Sequence, residues 1–252
     1  VVLDEADEML RMGSIDDVDE ILAQTPKGRR VALFSATMPP RIREIANVHL
    51  DQPVEIAITS AATTNANIEQ LYWLVKGTNK LDALTRFLGF EDTQGVIVFV
   101  RTRESTSAIS DQLRQRGFVA APLNGDIDQK TRIKTVEQLK SGQIDIVVAT
   151  DVAARGLDVE RITHVINYDI PFDRDSYVHR IGRTGRAGRA GKAILFVAPR
   201  ERRMLHNIER VTKQTIESIQ LPSFAAIEAK AQERLMARFK AGLAEAPHPK
   251  AA

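Results

Sequence analysis

Cysteine is absent from all 252 residues, which excludes a disulfide framework, a thiol nucleophile and any cysteine-ligated zinc or iron-sulfur centre. A chain without thiols fits a reducing compartment, and the cytoplasm is the expected location. Long hydrophobic runs are absent too. The longest, such as Val96 to Val100 and Ile144 to Thr150, fall far short of the roughly 18 consecutive apolar residues that a spanning helix needs. They read as buried strands, and no membrane partner is expected. No low-complexity tract occurs, and 43% hydrophobic with 27% charged residues, 14 Gly and 10 Pro excludes collagen-like, fibrous and wholly disordered classes. Neither sign of charge is in excess, since 35 Lys and Arg against 33 Asp and Glu leave a formal net charge of +2. That balance by itself argues for no polyanionic partner. Its distribution is uneven, however: from Arg174 to Lys192 the cations Arg174, Arg180, Arg183, Arg186, Arg189 and Lys192 are opposed only by Asp175. An initiating methionine is missing as well. The chain opens on Val1-Val2-Leu3-Asp4, inside a hydrophobic strand, and reads as a fragment whose first domain lacks its beginning.

What is present is an alternation of short Val- and Ile-rich runs with amphipathic stretches, the pattern of βα units around a mostly parallel sheet. Strands are predicted over 1–3, 31–35, 54–58, 69–75, 96–100, 120–122, 144–149, 164–167 and 193–198. Leu81, Leu84 and Leu88, and then Ala108, Ile109 and Leu113, recur at helical spacing and predict two sheet-covering helices. The polar stretch Thr59 to Asn67 has no large apolar residue and reads as a linker. The expected organisation is therefore an incomplete α/β domain over 1–58, a linker over 59–68, a complete domain over 69–222 and a helical C-terminal extension over 223–252. Leu235, Met236 and Phe239 give that last helix an apolar stripe; it reads as a cap on the second domain or as the start of another module. The polar residues from Pro247 on are expected to fray.

Four segments carry chemistry. Asp4-Glu5-Ala6-Asp7 emerges from the end of the first strand, where open α/β sheets bind ligands, and its carboxylates suit a hydrated Mg²⁺ and a water activated beside a phosphate. The plainer reading is an acidic first turn favoured by the helix dipole, and on four residues it prevails. Ser35-Ala36-Thr37 ends the adjacent strand, where its hydroxyls either cap a helix or bond those carboxylates. Thr150-Asp151 through Arg155-Gly156-Leu157-Asp158 begins where a buried strand stops, and is expected at the switch point of the second sheet. A short turn with a glycine cap is the alternative there. Tyr177 to Arg189 spaces arginines three residues apart with glycines between them, a pattern suited to phosphate oxygens approached closely by backbone. A solvated basic face is the plainer reading, but it needs no such glycines.

Together these segments resemble the DEAD-box family of ATP-dependent RNA helicases, within superfamily 2, over nearly the whole chain up to about Pro222. Asp4-Glu5-Ala6-Asp7 is similar to the family's Walker B motif, Ser35-Ala36-Thr37 to its coupling motif, and Val96 to Thr102 to its fourth motif. Gln129 and Arg132 match a Gln-x-x-Arg spacing, and the last two segments match the fifth and sixth motifs. Segments 4–13, 149–161 and 177–191 most resemble a bacterial cold-shock member.

The resemblance implies a RecA-like parallel sheet covered by helices, and a complete C-terminal lobe following the end of an N-terminal one. It implies ATP and Mg²⁺ as cofactors: Asp4 holds the metal through water, Glu5 orients and deprotonates the attacking water, and Asp7 connects to Ser35 and Thr37. Asp158 would contact the ribose, Arg183 and Arg186 the γ-phosphate, and His179 would couple that site to the rest. RNA would be held through its backbone by Arg101, Thr102, Gly125, Asp126, Gln129, Arg132, Thr150, Arg155 and Gly156, without sequence preference. Implied partners are ribosomal precursors or RNA-decay proteins, and a dimer through the C-terminal extension.

The family's phosphate-binding loop has no counterpart here, because Gly-x-x-x-x-Gly-Lys-Ser/Thr occurs nowhere in the sequence. The expectation is that the parent protein unwinds short RNA duplexes while this chain alone is catalytically silent, and that residues 1–58 fold poorly for want of sheet partners. Two other readings are a non-catalytic RecA-like RNA-binding module derived from a helicase, and an interaction module docking through Phe224 to Gly242. Retention of Asp4, Glu5, Ser35, Thr37, Arg183 and Arg186 counts against the first of these.

Overall fold

The computed structural model describes residues 1–11, 13–26, 28–57 and 67–245. They fall into two compact units, Val1–Thr59 and Ser60–Ala252. The first contains β1 (Val2–Leu3), α1 (Ala6–Arg11), α2 (Ile15–Ala23), β2 (Ala32–Leu33) and α3 (Pro40–His49). β1 and β2 pair in parallel, Val2 opposite Ala32, and the ladder continues as Phe34 N–H donates to Leu3 O at 2.7 Å. Leu3, Ala6, Leu22, Ile42 and Ile45 form its core. Pro40 at the first turn of α3 presets the helical φ where an N–H has no partner to lose.

The strand expected over 54–58 does not form among the described residues: 53–57 adopt no regular structure, and Val54 and Ile56 are 86% and 82% exposed. A strand exists only through its ladder, and no described strand pairs with this segment. Residues 58–66, which include most of the expected linker, and 246–252, which include the polar tail, lie outside the described residues.

The second unit runs β3 (Ile68–Leu74), α4 (Lys80–Phe90), β4 (Gly95–Phe99), α5 (Arg103–Gln115), β5 (Ala120–Leu123), α6 (Gln129–Ser141), β6 (Ile146–Ala149), α7 (Asp151–Ala154), β7 (Ile162–Asn167), α8 (Arg174–Ile181), β8 (Gly191–Val197), α9 (Arg202–Thr212), β9 (Glu217–Ser218) and α10 (Phe224–Glu245). All seven strands pair in parallel, in the order β5-β6-β4-β7-β8-β3-β9. Every residue of β4 is buried, which is why its sequence shows no polar alternation: both faces of a parallel sheet are covered.

Alternate residues of β4 serve the two sides. Val96 and Val98 join Leu84, Leu113 and Trp73 on one face, and Ile97 and Phe99 join Leu139 and Ala153 on the other. Side-chain oxygens of Asn79, Thr102, Asp128 and Asp173 accept backbone N–H groups three residues on and start α4, α5, α6 and α8. α10 is fastened to α4 by Arg234, whose guanidinium donates to Gly89 O, Phe90 O and Glu91 O at 2.9, 2.8 and 2.6 Å. It thereby caps carbonyls that α4 leaves unsatisfied. No helix among the described residues is long and apolar enough to cross a membrane.

Candidate functional site

In the first unit, Asp4 is exposed at the end of β1, and its Oδ1 accepts the Glu5 N–H at 2.9 Å. Glu5 adopts φ 53°, a left-handed conformation that side-chain-bearing residues seldom take. Asp7 and Glu8, at 4% and 2% exposure, are buried, unlike carboxylates that merely decorate a helix dipole in water. Thr37 donates to Asp7 Oδ2 twice, from N–H at 2.9 Å and from its hydroxyl at 2.8 Å. The Asp7 N–H donates to Ser35 Oγ at 3.1 Å, and the Ser35 hydroxyl donates to Thr37 O at 2.6 Å. Burial pushes the Asp7 carboxyl up, but the hydrogen bonds from Thr37, Ser35 and the backbone outweigh it and hold the group below its ordinary value. Asp7, Ser35 and Thr37 therefore form one closed unit. Among the described residues no three His, Cys, Asp or Glu side chains gather to hold a metal ion.

In the second unit the residues expected at RNA follow the carboxyl ends of three neighbouring strands: Gly125 and Asp126 after β5, Thr150 after β6, Arg101 and Thr102 after β4. Arg103 Nη1 bonds Asp126 Oδ1 at 2.5 Å. Beneath this pair the buried Asn124 donates to Thr106 Oγ1 at 2.7 Å and accepts from Asp126 N at 3.0 Å, fixing the β5 loop to α5. Arg101 N–H donates to Asp169 Oδ2 at 3.0 Å, and its guanidinium lies 4.6 Å from the centre of the Phe172 ring. Gln129 is exposed at the start of α6.

Arg132, expected at RNA, points elsewhere. Its guanidinium donates to Ala153 O at 2.7 Å and to Arg155 O at 2.9 Å, so it holds the turn that carries Thr150, Arg155 and Gly156. A short helix leaves its last carbonyls unpaired, and an arginine one turn into α6 supplies the missing donors.

Asp158, Arg183 and Arg186 gather at the opposite edge. Arg186 pairs with Asp158 and donates from Nε to Gly182 O at 2.9 Å; Arg183 donates to Leu157 O and to His179 O, both at 3.3 Å. The Thr184 hydroxyl, next in sequence, donates to Ile162 O at the start of β7 at 2.6 Å, and Gly191 N at the start of β8 donates to Asn67 O at 2.8 Å. The expectation that all of 150–158 lies at the carboxyl switch point is thus corrected. Thr150 does, but the chain then returns alongside the sheet, as a crossover between parallel strands must, and Asp158 sits at the amino edge. A strand of this length separates the two clusters by roughly 15–20 Å.

The glycines of the arginine segment are explained differently from the expectation. A Cβ on Gly185, at φ +66°, would stand 2.5 Å from Ile68 Cγ1, and one on Gly191 would stand 2.6 Å from Gly185 N. These two glycines let the chain pack against itself rather than against a ligand. Gly188, at φ +77°, has open space around its Cβ position, and there the backbone conformation alone favours glycine.

Arg180 was given no role of its own from the sequence, yet it fastens α8 to the carboxyl ends of β4, β6 and β7. It is 3% exposed on α8. Its Nε and Nη2 hold the Asp151 carboxylate at 2.5 and 2.8 Å, its Nη1 donates to Asn167 Oδ1 at 3.2 Å and Asp169 O at 2.7 Å, and its guanidinium lies 5.0 Å from the Phe99 ring centre. The available signal was the recurrence of Asp151, Asn167 and Asp169 just at or beyond strand ends. His179, its neighbour, is half-buried.

Residues 1–45 match the DEAD/DEAH box helicase family and residues 79–188 the helicase conserved C-terminal domain family. The chain is 58% identical over 235 residues, 93% of its length, to the ATP-dependent RNA helicase DeaD of Buchnera aphidicola from Acyrthosiphon pisum. It spans 38% of the length of that relative and of the Escherichia coli K12 DeaD it also matches. Among solved structures it is similar to E. coli SrmB bound to regulator of ribonuclease activity A (35% identity, TM-score 0.56), covering 98% of that chain with 62% of its own. S. cerevisiae Dbp5 bound to RNA and ADP BeF3 is similar too, at 28% identity and TM-score 0.77, with 93% of this chain covering 62% of Dbp5. The fold, the ordered motifs and these relatives agree that the chain belongs to the DEAD-box helicase family.

Proposed function

We propose that this chain is part of an ATP-dependent RNA helicase that locally unwinds short duplexes, and that it contributes the RNA-holding edge and the arginine pair of the second lobe together with the acidic segment of the first. The observation that carries the reading is α8. From its last turn Arg180 reaches back to grip the strand termini that bear Arg101 and Thr150, and just past that turn Arg186 pairs with Asp158 beside Arg183. In this reading Arg183 and Arg186 answer charge on the γ-phosphate and Asp158 takes the ribose. Arg101, Thr102, Gly125, Asp126, Gln129, Thr150, Arg155 and Gly156 hold RNA phosphates and riboses, with Arg132 positioning their turn. His179, Ser35 and Thr37 link hydrolysis to closure and reopening of the cleft.

Glu5 orients and deprotonates the attacking water. Asp4, an exposed carboxylate at the end of β1, suits an ion that arrives on the nucleotide and keeps its waters, so it would hold Mg²⁺ through water and the ion would neutralise phosphate oxygens. The finer reading is a cytoplasmic helicase of cold adaptation acting on ribosomal precursors or decaying mRNA, supported by likeness to the DeaD relatives. The purified chain is expected to bind single-stranded RNA, with affinity falling steeply as salt rises, and to hydrolyse no ATP beyond a Glu5→Gln control. Absence of RNA binding overturns the reading, and turnover above the control overturns the silence of the isolated chain.

A further inference from the structure

Beyond the two clusters described so far, a groove of about 460 Å³ opens between the loop after β7 and the outer face of α9. Phe172 and Arg174 line one wall; Arg203, His206, Asn207 and Arg210 line the other. Arg203, His206 and Arg210 recur at three- and four-residue spacing, so they share one helix face, and all three are exposed. The acids nearby are engaged with neighbours other than Arg203 and Arg210. Both Asp173 oxygens accept from Ser176, N–H and hydroxyl each at 2.9 Å. Glu209 accepts from Ile216 N at 3.0 Å and bonds His206 at 3.2 Å. Asp175 lies 3.9 Å from Arg174 Nε. Arg174 and His206 are thus partly compensated, whereas among the described residues no acid pairs with Arg203 or Arg210.

Phe172 is 73% exposed, an unusual place for a phenyl ring, and its ring carries the guanidinium of Arg101. The groove therefore begins where the RNA-holding edge ends: carboxyl ends of β5, β6 and β4 in order, then the loop following β7. Exposed aromatic faces set among arginines are how single strands are held without sequence preference, bases stacking on the ring and phosphates meeting the cations.

We propose that this groove is a second RNA-binding segment, taking the single-stranded nucleotides that run past Arg101, with a base stacked on Phe172 and phosphates on Arg203 and Arg210. The inference rests on the RNA-binding reading above and extends it by a site on α9. The test compares fluorescence anisotropy of oligouridylates of about six and about fourteen nucleotides on the full chain. Lengthening the strand is expected to tighten binding by about tenfold, the scale of one stacked base plus two phosphate contacts.

Arg203→Gln with Arg210→Gln is expected to remove that gain and leave the short oligomer bound as before. The double variant should also lower the salt slope for the long oligomer by about 1.4, at about 0.7 for each lost phosphate contact. Lys at both positions should restore most of the slope, since a phosphate contact needs only a point charge. Both arginines are exposed, and unchanged binding of the short oligomer reports an intact fold. Long-oligomer binding unaffected by the variants overturns the groove alone. Failure of the wild-type chain to bind either oligomer overturns both readings. Salt-sensitive binding of a polyglutamate peptide that the variants abolish, with RNA binding unchanged, makes the groove a site for an acidic protein and likewise overturns the proposal.

Discussion

Removing Arg180 is the most informative perturbation of the second unit. In Arg180→Ala, Asn167 Oδ1 and Asp169 O lose donors at 3.2 and 2.7 Å in a region closed to water. Each such loss costs about 1 kcal/mol. The lost contact with the Phe99 ring adds about 1 kcal/mol. Asp151 loses both its bonds, but its side chain is 42% exposed and rehydrates, so its share is held to about 0.5 kcal/mol. The sum is about 3–4 kcal/mol. The assay is built in, because Trp73 is the one tryptophan of the chain and is 5% exposed in the core of this unit. With a urea dependence of about 3 kcal/mol per molar, the fluorescence midpoint should fall by about 1 M. Arg180→Lys keeps the charge but cannot span carboxylate, amide and carbonyl together, and should lose about half as much. A shift below about 0.3 M for the alanine variant, or a lysine variant as stable as the parent, would refute the view that this fork holds α8 to the sheet. A double-mutant cycle with Asp151→Ala should return a coupling small beside the total.

Three further outcomes follow from the same geometry. Burial pushes the Glu91 carboxyl up, but His164 and Lys192 outweigh it and hold it below its usual 4.5; stability from this group is present above that value and lost as pH falls through the lower folded one. Lys192 is held above its usual 10.5, burial opposing and Glu91 prevailing, so its contribution is present below that value and lost as pH rises through the higher folded one. Urea midpoints across pH should therefore decline at both ends, and Glu91→Gln should flatten both declines. Gly185→Ala combines an unfavourable φ with a Cβ 2.5 Å from Ile68 and should cost about 2–3 kcal/mol, whereas Gly188→Ala meets only the backbone term and should cost about 1 kcal/mol in the same measurement. Arg186→Ala breaks a pair whose Asp158 side is 76% exposed, so the unfolding free energy should stay within about 1 kcal/mol of the parent while ATP turnover of the full-length protein collapses.

How far the sequence could be read depended on whether its signals were local. Unbroken apolar runs such as Val96 to Val100 betray strands covered on both sides, and β4 forms where they stand. Val54 and Ile56 instead alternate with other residues, as in a strand covered on one side, but whether such a stretch becomes a strand is decided by a neighbour, and the described residues supply none. The Asp7, Ser35 and Thr37 triangle was legible because strand order brings consecutive strand ends together. Arg132 and Arg180 were harder. An arginine's partners here are carbonyls and side chains 11 to 29 residues away, and nothing in its own neighbourhood distinguishes an inward fork from a ligand contact. The glycines misled for a similar reason: positive φ and close packing against Ile68 leave the same trace in a sequence as a phosphate would.

α8 has one more consequence. Eight residues make a rod of about 12 Å, two turns of continuous hydrogen bonding that bend far less readily than a loop does. Arg180 sits in its last turn, clamped between three strand termini, and the paired Arg186 lies just past that same turn. A shift of Arg186 therefore reaches the clamp through a short stretch of backbone and arrives at the ends of β6 and β7 without any side chain having to change rotamer. Stiffness there, rather than a relay of contacts, sets how faithfully the two edges of the sheet can answer one another.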